Sequence, residues 1–272
     1  RRAVSDLSEE NQTFYCCELV DIQLQLFKIF SPKLKEIQVF DLFKDIEMPL
    51  IEVLTKMELE GVNLDIKMMS EFSIELTKEI KLLEGDIYNF SGEEFNLSSP
   101  KQMGEILFNK MKISDKVKKT KSGQYSTSEE TLSQLKQIHP IIKNILDHRS
   151  LQKLLSTYVN ALPLLVNKKT GRIHTTFNQS IASTGRLSSI NPNLQNVPIR
   201  TEKGRKMRMA FIPRNKEYKI LAADYSQIEL RIMASLSGDK SMLQSFNRGE
   251  DIHLATAAKV YKVSEKEVTR EM

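Results

Sequence analysis

Residues 220–236 set a carboxylate where an extended segment gives way to a helix, and that junction limits the folds open to the chain. Ile220, Leu221, Ala222 and Ala223 form a short, continuous apolar run, the pattern of a strand buried on both faces. Ile228, Ile232 and Leu236 then recur at helical spacing. A strand leading straight into a helix calls for a mixed fold, with Asp224 at the junction. A carboxylate at the exposed end of a buried strand suits a hard cation such as Mg²⁺, which takes one or two carboxylates together with substrate phosphates. A helix cap is the competing use for an aspartate there. Spacing leaves both open.

Most of the remaining pattern is helical. Tyr15, Leu19, Ile22 and Leu26 share one stripe of a first helical stretch that Ser31-Pro32 interrupts. A second start follows at Asp41, where Phe43, Ile46, Leu50, Leu54 and Met57 recur at three or four residues until Gly61 ends the run. Asp65 then caps a long amphipathic segment whose seam is Met69, Phe72, Leu76, Leu83, Ile87 and Phe90, stopped by Ser91-Gly92. Between Met111 and Tyr125 the composition shifts to Lys, Thr, Ser and Gly, as in an exposed tip. Residues 126–130 offer a capping box, and Pro140 opens another long helix through Leu151, Leu154, Tyr158 and Leu162. Two long helices bracketing a lysine-rich tip predict a projecting arm.

Charge separates the chain more sharply than its total of +5 suggests. Residues 165–216 carry eleven Lys and Arg against one acid, Glu202, and the remainder is net negative. A basic block in an otherwise acidic chain is the footprint of a nucleic-acid backbone site, or else a solvated basic loop. No run approaches the length of a membrane span, and the N-terminal residues lack the apolar core of a signal peptide. The two cysteines, Cys16 and Cys17, are adjacent, which makes neither a disulfide framework nor a zinc site and fits a reducing cytoplasm.

The eight residues from Asp224 to Arg231, DYSQIELR, resemble motif A of the family-A DNA polymerases. FNLSSPKQMGEILF (95–108), TGRLSS (184–189), NPNLQN (191–196) and DIHLATAA (251–258) resemble further family segments, in the family's order. From about Phe40 to Met272 the resemblance is nearly continuous, with flanks of the bacterial type. It implies a mixed α+β, mainly helical fold, in which a long-helix thumb precedes part of an antiparallel-sheet palm and the chain stops before the fingers are complete. The implied division is 1–39 as the end of a 3′–5′ exonuclease-like domain, 40–165 as thumb with its entry helix, and 166–272 as the first part of the palm with motif A and the start of the fingers.

The resemblance also implies roles. Nucleotidyl transfer from a dNTP to a primer 3′-hydroxyl uses two metal ions roughly 3.5–4 Å apart; here Asp224 is one of two bridging aspartates of a Mg²⁺ pair, with the Tyr225 carbonyl as a further ligand. Glu229 excludes a ribose 2′-hydroxyl, although a first-turn glutamate also suits the helix dipole. Tyr225, Ser226, Gln227 and His253 fall at the incoming nucleotide, with a helix-start histidine as the plainer reading of His253. Arg186, Asn193, Gln195 and Asn196 are donors suited to minor-groove acceptors shared by all correct pairs, although Asn-Pro-Asn is also turn chemistry. Arg149 and Lys153 resemble contacts to the template-primer backbone; a further lysine common in the family is Leu155 here. The tip lysines Lys116, Lys118, Lys119 and Lys121 are assigned to the duplex. Primer-template DNA and dNTP are the implied partners of a monomeric, cytoplasmic enzyme of DNA replication and repair.

Two departures shape the expectation. Tyr15 resembles the tyrosine of a proofreading motif, but Leu19 stands where that motif has a metal-binding aspartate, so no proofreading is expected from this chain. The family's triphosphate-binding helix and second bridging aspartate are not found within the 272 residues, so the isolated chain is expected to be inactive. A non-catalytic DNA-binding fragment is therefore the alternative reading, and a relative of the single-subunit RNA polymerases is a third, disfavoured by Glu229.

Overall fold

The computed structural model describes residues 4–115 and 117–269. Contacts divide the chain into two compact units, Arg1–Lys219 and Ile220–Met272. The fold is mixed α+β and mainly helical.

In the first unit, α1 (Glu9–Glu36) starts at Ser8, whose side chain accepts from the Asn11 N–H at 3.4 Å. It runs through Pro32 rather than stopping there. Proline holds φ near the helical value and forfeits a single i→i−4 bond, so a long helix can continue past it. The predicted stripe is not a core seam: no residue of α1 is buried, and Tyr15, Leu19, Ile22 and Leu26 are all exposed. A short α2 (Phe40–Leu42) passes through a π-helical stretch, Phe43–Glu47, into α3 (Met48–Glu60). Gly61 ends α3 at φ +64°, where a Cβ would lie 2.7 Å from the Ile173 carbonyl oxygen.

The main body is a pair of long helices, α4 (Ile66–Ser91) and α7 (Pro140–Leu154), with α5 (Pro100–Gly104), a π-helical stretch Glu105–Lys110 and α6 (Glu129–Gln134) between them. Asp65 caps α4 by accepting from the Met68 N–H at 2.9 Å, and Gly92 closes it in the left-handed region. The seam spacing of α4 serves two separate cores. Met69, Phe72, Leu76 and Ile80 pack with Leu151, Leu154, Leu155, Tyr158 and Leu162. At the other end, Ile87 packs with Met103, Leu107, Leu132, Ile141 and Ile145. The start of one helix therefore meets the end of the other, and the pair is antiparallel. Each fully buried Leu or Ile contributes about 1.5–3 kcal/mol through removal of apolar surface from water.

The end of α7 widens into a π-helical stretch, Leu155–Val159, closed by Asn160 N–H donating to the Leu155 carbonyl oxygen at 2.9 Å. One extra residue per turn rotates the apolar face. Leu154 and Leu155 are both buried, as are Tyr158 and Val159, while Ser156 and Thr157 are exposed. Leu155 is thus a core residue, which accounts for an apolar side chain there.

Two small antiparallel ribbons complete this unit. β1 (Asn63–Leu64) pairs with β4 (Phe211–Ile212), and β2 (Thr176–Asn178) pairs with β3 (Ser188–Ile190). A further bridge joins Val62 to Ile173. α8 (Glu202–Arg208), capped by Thr201, buries Met207 in the core that contains Leu76.

The second unit holds α9 (Ile228–Ser237), α10 (Lys240–Asn247) and α11 (Ile252–Tyr261). Here the strand expected over 220–223 is not formed. These residues have no regular structure, and Leu221 is 90% exposed. A strand persists where a neighbour takes up its N–H and C=O groups, and among the described residues no strand lies against this segment. Ile228, Ile232 and Leu236 are helical as expected, but all three are exposed.

No helix among the described residues is long and apolar enough to cross a membrane.

Candidate nucleic-acid interface

One groove joins the lysine-rich tip to α7. It encloses about 660 Å³ and is lined by Ser98, Thr120, Gln124, Thr127, Arg149 and Lys153, among others. Among its described residues the tip departs from regular structure apart from a bridge between Lys119 and Tyr125, where the Lys119 ammonium also lies 5.0 Å from the centre of the Tyr125 ring. Lys118, Lys119 and Lys121 are exposed; Lys116 lies outside the described residues. Of the two α7 residues at four-residue spacing, Lys153 is exposed. Arg149 is half-buried and donates to the Thr127 carbonyl oxygen and, at 3.3 Å, to the Thr127 hydroxyl. Burial lowers its pKa, but a guanidinium stays charged at any ordinary pH. It thereby anchors the strand of chain leaving the tip and brings a fixed positive charge to the groove.

The segment 186–196 is held by a hydroxyl pair that sequence patterns did not single out. Ser189, fully buried, meets the Thr175 hydroxyl at 2.6 Å and accepts from the Leu194 N–H at 3.1 Å. Thr175 in turn donates to the Pro192 carbonyl oxygen at 2.8 Å. Only its place in TGRLSS drew notice to Ser189, since a serine in a three-residue strand carries no local sign of burial. Asn193 accepts from the N–H groups of Gln195 (3.1 Å) and Asn196 (3.2 Å), an Asx turn. The Asn196 carbonyl oxygen accepts from the Tyr158 hydroxyl at 2.6 Å. Arg186, Asn193, Gln195 and Asn196 are all exposed, so one stretch of surface carries a guanidinium and three amides on a fixed backbone.

Part of the basic block is used inside the protein. Lys203 bonds to Glu75 (3.0 Å) and Glu79 (2.6 Å), and Lys206 also bonds to Glu75. Lys206 and Lys203 hold the Glu75 carboxyl below its ordinary range, while Glu79 and then Glu75 raise the pKa of Lys203 against its partial desolvation. Arg214 and Arg172 share Glu60 and depress its pKa in the same way. These pairs clasp α8 to α4 and the segments around β4 and residue 172 to α3. The remaining basic residues, including Lys168, Lys169 and Arg200, stay on the surface.

In the second unit, Asp224 is exposed and does not cap α9. That position belongs to Gln227, in the left-handed region at φ 53° and without a side-chain cap bond. Gln227 Nε2 instead donates to Asp251 Oδ1 at 2.8 Å. Asp251 caps α11 as expected, accepting from the N–H groups of His253 (2.8 Å) and Leu254 (3.3 Å). The structure therefore brings Gln227 and the first turn of α11, which bears His253, into one bonded group. Tyr225 is 79% exposed, and Glu229 lies in the first turn of α9. Among the described residues no three His, Cys, Asp or Glu side chains are grouped to hold a metal ion. Asp224 with the Tyr225 carbonyl supplies hard oxygen donors alone, a partial set that fits Mg²⁺ when phosphate oxygens complete it.

A long-helix pair, a lysine-rich tip joined to it by a groove and TGRLSS running into an antiparallel ribbon fit a polymerase-type domain. A family model described as DNA polymerase family A matches residues 66–272, and the chain belongs to that family. It is 47% identical over 231 residues to a DNA polymerase I of Geobacillus stearothermophilus, covering 85% of this chain and 26% of that protein. Identity to a DNA polymerase I of Borreliella burgdorferi is 46% over 267 residues, or 97% of this chain and 29% of the relative. The chain thus spans little more than a quarter of these relatives. Among solved structures, it is similar to the POL domain of Pol1 from M. smegmatis in complex with DNA primer-template and dNTP, with a TM-score of 0.83 and 42% identity over 91% of this chain and 43% of the other.

Proposed function

We propose that the whole protein is a DNA-directed DNA polymerase, to which this chain supplies duplex binding and the motif-A part of the active site. The observation that carries the reading is the family membership together with an intact DYSQIELR at 224–231. The relative solved with primer-template and dNTP supports the same substrates here.

In the proposed reaction the primer 3′-hydroxyl attacks the α-phosphate of a dNTP, a new phosphodiester forms and pyrophosphate leaves. Asp224 and the Tyr225 carbonyl would hold Mg²⁺, which when bound supplies positive charge to acidify the attacking hydroxyl and offset charge on the phosphate. Glu229 occupies the space a 2′-hydroxyl needs and so selects deoxynucleotides. Tyr225, Ser226, Gln227 and His253 form the nucleotide end of the site. Arg186, Asn193, Gln195 and Asn196 donate to minor-groove acceptors whose positions a mispair displaces. Arg149, Lys153 and the tip lysines hold the sugar-phosphate backbone; Arg149 and Lys153 line one groove with Thr120 and Gln124 of the tip. We assign the thumb with its entry helix to 40–165 and the first part of the palm, with motif A and the start of the fingers, to 166–272, and place the enzyme in the cytoplasm as a monomer.

The test is Asp224→Ala in the whole protein. Primer extension should be lost while primer-template binding persists, and retained nucleotide incorporation would refute the metal assignment. Glu229→Ala should admit ribonucleotides to the primer end.

A further inference from the structure

We propose that Gln227 is a positioning residue: it ties the motif-A turn to the N-terminus of α11, so that the turn and His253 hold a fixed relation. The proposal rests on the polymerase reading above and adds to it a means by which two separate motifs are kept in register.

The backbone supplies the first reason. Gln227 is not a glycine, yet it sits at φ 53°, ψ 36°, a region few such residues occupy without local cause. It stands one residue ahead of α9, and its side chain makes no cap bond to that helix. From there its side chain reaches a partner 24 positions along the chain.

The second reason is what it reaches. Asp251 Oδ1 accepts from three donors: Gln227 Nε2 at 2.8 Å, His253 N–H at 2.8 Å and Leu254 N–H at 3.3 Å. The two backbone donors are enough to make a helix cap. Gln227 is the one that comes from elsewhere, and it is the largest influence keeping the Asp251 carboxyl below its ordinary range. An amide N–H to a carboxylate is a charge-assisted bond and favours the anion.

The turn is also held from its other side. Arg231 Nε donates to the Ser226 carbonyl oxygen at 3.0 Å, and its guanidinium lies 4.4 Å from the centre of the Phe246 ring of α10. Residues 226–231 are thereby bonded to both following helices. A groove of about 930 Å³ opens beside this tie, lined by Leu230, Asp251, His253, Thr256 and Tyr261, among others. Geometry of this kind fixes where His253 stands relative to Ser226 and Glu229, and a fixed relation between groups that meet one substrate is worth affinity because less ordering remains to be done on binding.

Gln227→Asn is the direct test. Asparagine tolerates the left-handed turn but is one methylene too short to reach Asp251. In the 272-residue chain, amide exchange at His253 and Leu254 should accelerate about fivefold, the worth of one net hydrogen bond, and the Asp251 carboxyl should titrate at higher pH. In the whole protein, KM for dNTP should rise about fivefold with kcat altered less. Asp251→Ala should do the same, and the double variant should be no worse than the poorer single one. Asp251→Asn keeps an oxygen acceptor and should stay within about twofold of the unaltered protein. Unchanged exchange and titration in Gln227→Asn, or effects that multiply in the double variant, would overturn the proposal. Should Gln227→Asn fail to fold, Gln227→Gly, which accepts the left-handed region and has no side chain to reach Asp251, decides it by the same readouts. Absence of primer extension by the unaltered whole protein would overturn the polymerase reading and the kinetic half of this proposal, while amide exchange still decides the tie.

Discussion

The Tyr158 hydroxyl donates to the Asn196 carbonyl oxygen at 2.6 Å, across 38 positions of sequence. Tyr158 is 7% exposed, its ring lies in the core beside Leu76, and its hydroxyl is the polar end of an otherwise apolar side chain. The bond joins the root of the long-helix arm to the loop carrying Asn193, Gln195 and Asn196. Tyr158→Phe removes it and leaves a carbonyl oxygen short of a partner. We predict a loss of about 1–2 kcal/mol in urea unfolding. Primer-template affinity should fall with it, because the loop loses its support.

Gly61→Ala is expected to cost more than its single methyl suggests. The residue sits at φ +64°, and a Cβ there would lie 2.7 Å from the Ile173 carbonyl oxygen and 2.8 Å from two atoms of the His174 ring. The first contact is backbone, already held by the Val62–Ile173 bridge, so it cannot yield easily. Backbone strain of this type costs of order 1–3 kcal/mol. Equilibrium denaturation checks it, and a loss below half a kcal/mol would show that the turn has another conformation.

The clasp of Glu75, Glu79, Lys203 and Lys206 gives a signed pH dependence. The pKa of Glu75 is depressed on folding, so its contribution is present above the ordinary carboxylate range and is lost as pH falls through the lower folded value. The pKa of Lys203 is raised, so its contribution is present below the ordinary lysine value and is lost as pH rises through the higher folded one. Thermal stability should therefore be flat at neutral pH and fall on both sides. Glu75→Gln should flatten the acid side. Because Glu75 is 41% exposed, each pair is worth less than about 1 kcal/mol.

Salt dependence tests the arm. Lys118, Lys119 and Lys121 are exposed at its tip. If each neutralises one phosphate, each Lys→Ala substitution should lower the slope of log affinity against log salt by about 0.9. Fluorescence anisotropy with a labelled primer-template measures this. Lys119→Ala has a second effect, since it also removes the contact with Tyr125. Lys203→Ala is the control: that lysine is engaged with two glutamates, and its loss should leave the slope unchanged.

The long helices were legible because their signals are local. Asp65 and Asp251 cap α4 and α11, Gly61 and Gly92 end α3 and α4, and Pro140 opens α7. Each of these is settled within one turn of chain. Pro32 misled because a residue that disfavours helix need not end one when the helix on both sides is already formed. The run at 220–223 misled for the opposite reason, since apolar content says a segment can be a strand but not that a partner stands beside it. The basic block was read correctly as composition and incompletely as function: Lys203, Lys206, Arg172 and Arg214 have carboxylate partners more than a hundred residues earlier in the chain.

By itself, then, the sequence determined the longer helices, several of their ends, and the family to which the chain belongs, through caps, periodicity and an eight-residue motif that all reside in contiguous residues. Tertiary structure alone decided that the α1 stripe and the Ile228–Leu236 stripe meet no core. It also decided that Ser189 anchors the amide-bearing loop, that four of the eleven cations of the basic block are clasped by carboxylates, and that Gln227 rather than Asp224 stands at the head of α9 with its side chain on Asp251. The division has one physical cause. Helix hydrogen bonds and caps close within four residues, whereas ion pairs, buried hydroxyls and strand partners depend on which distant surfaces core burial brings face to face.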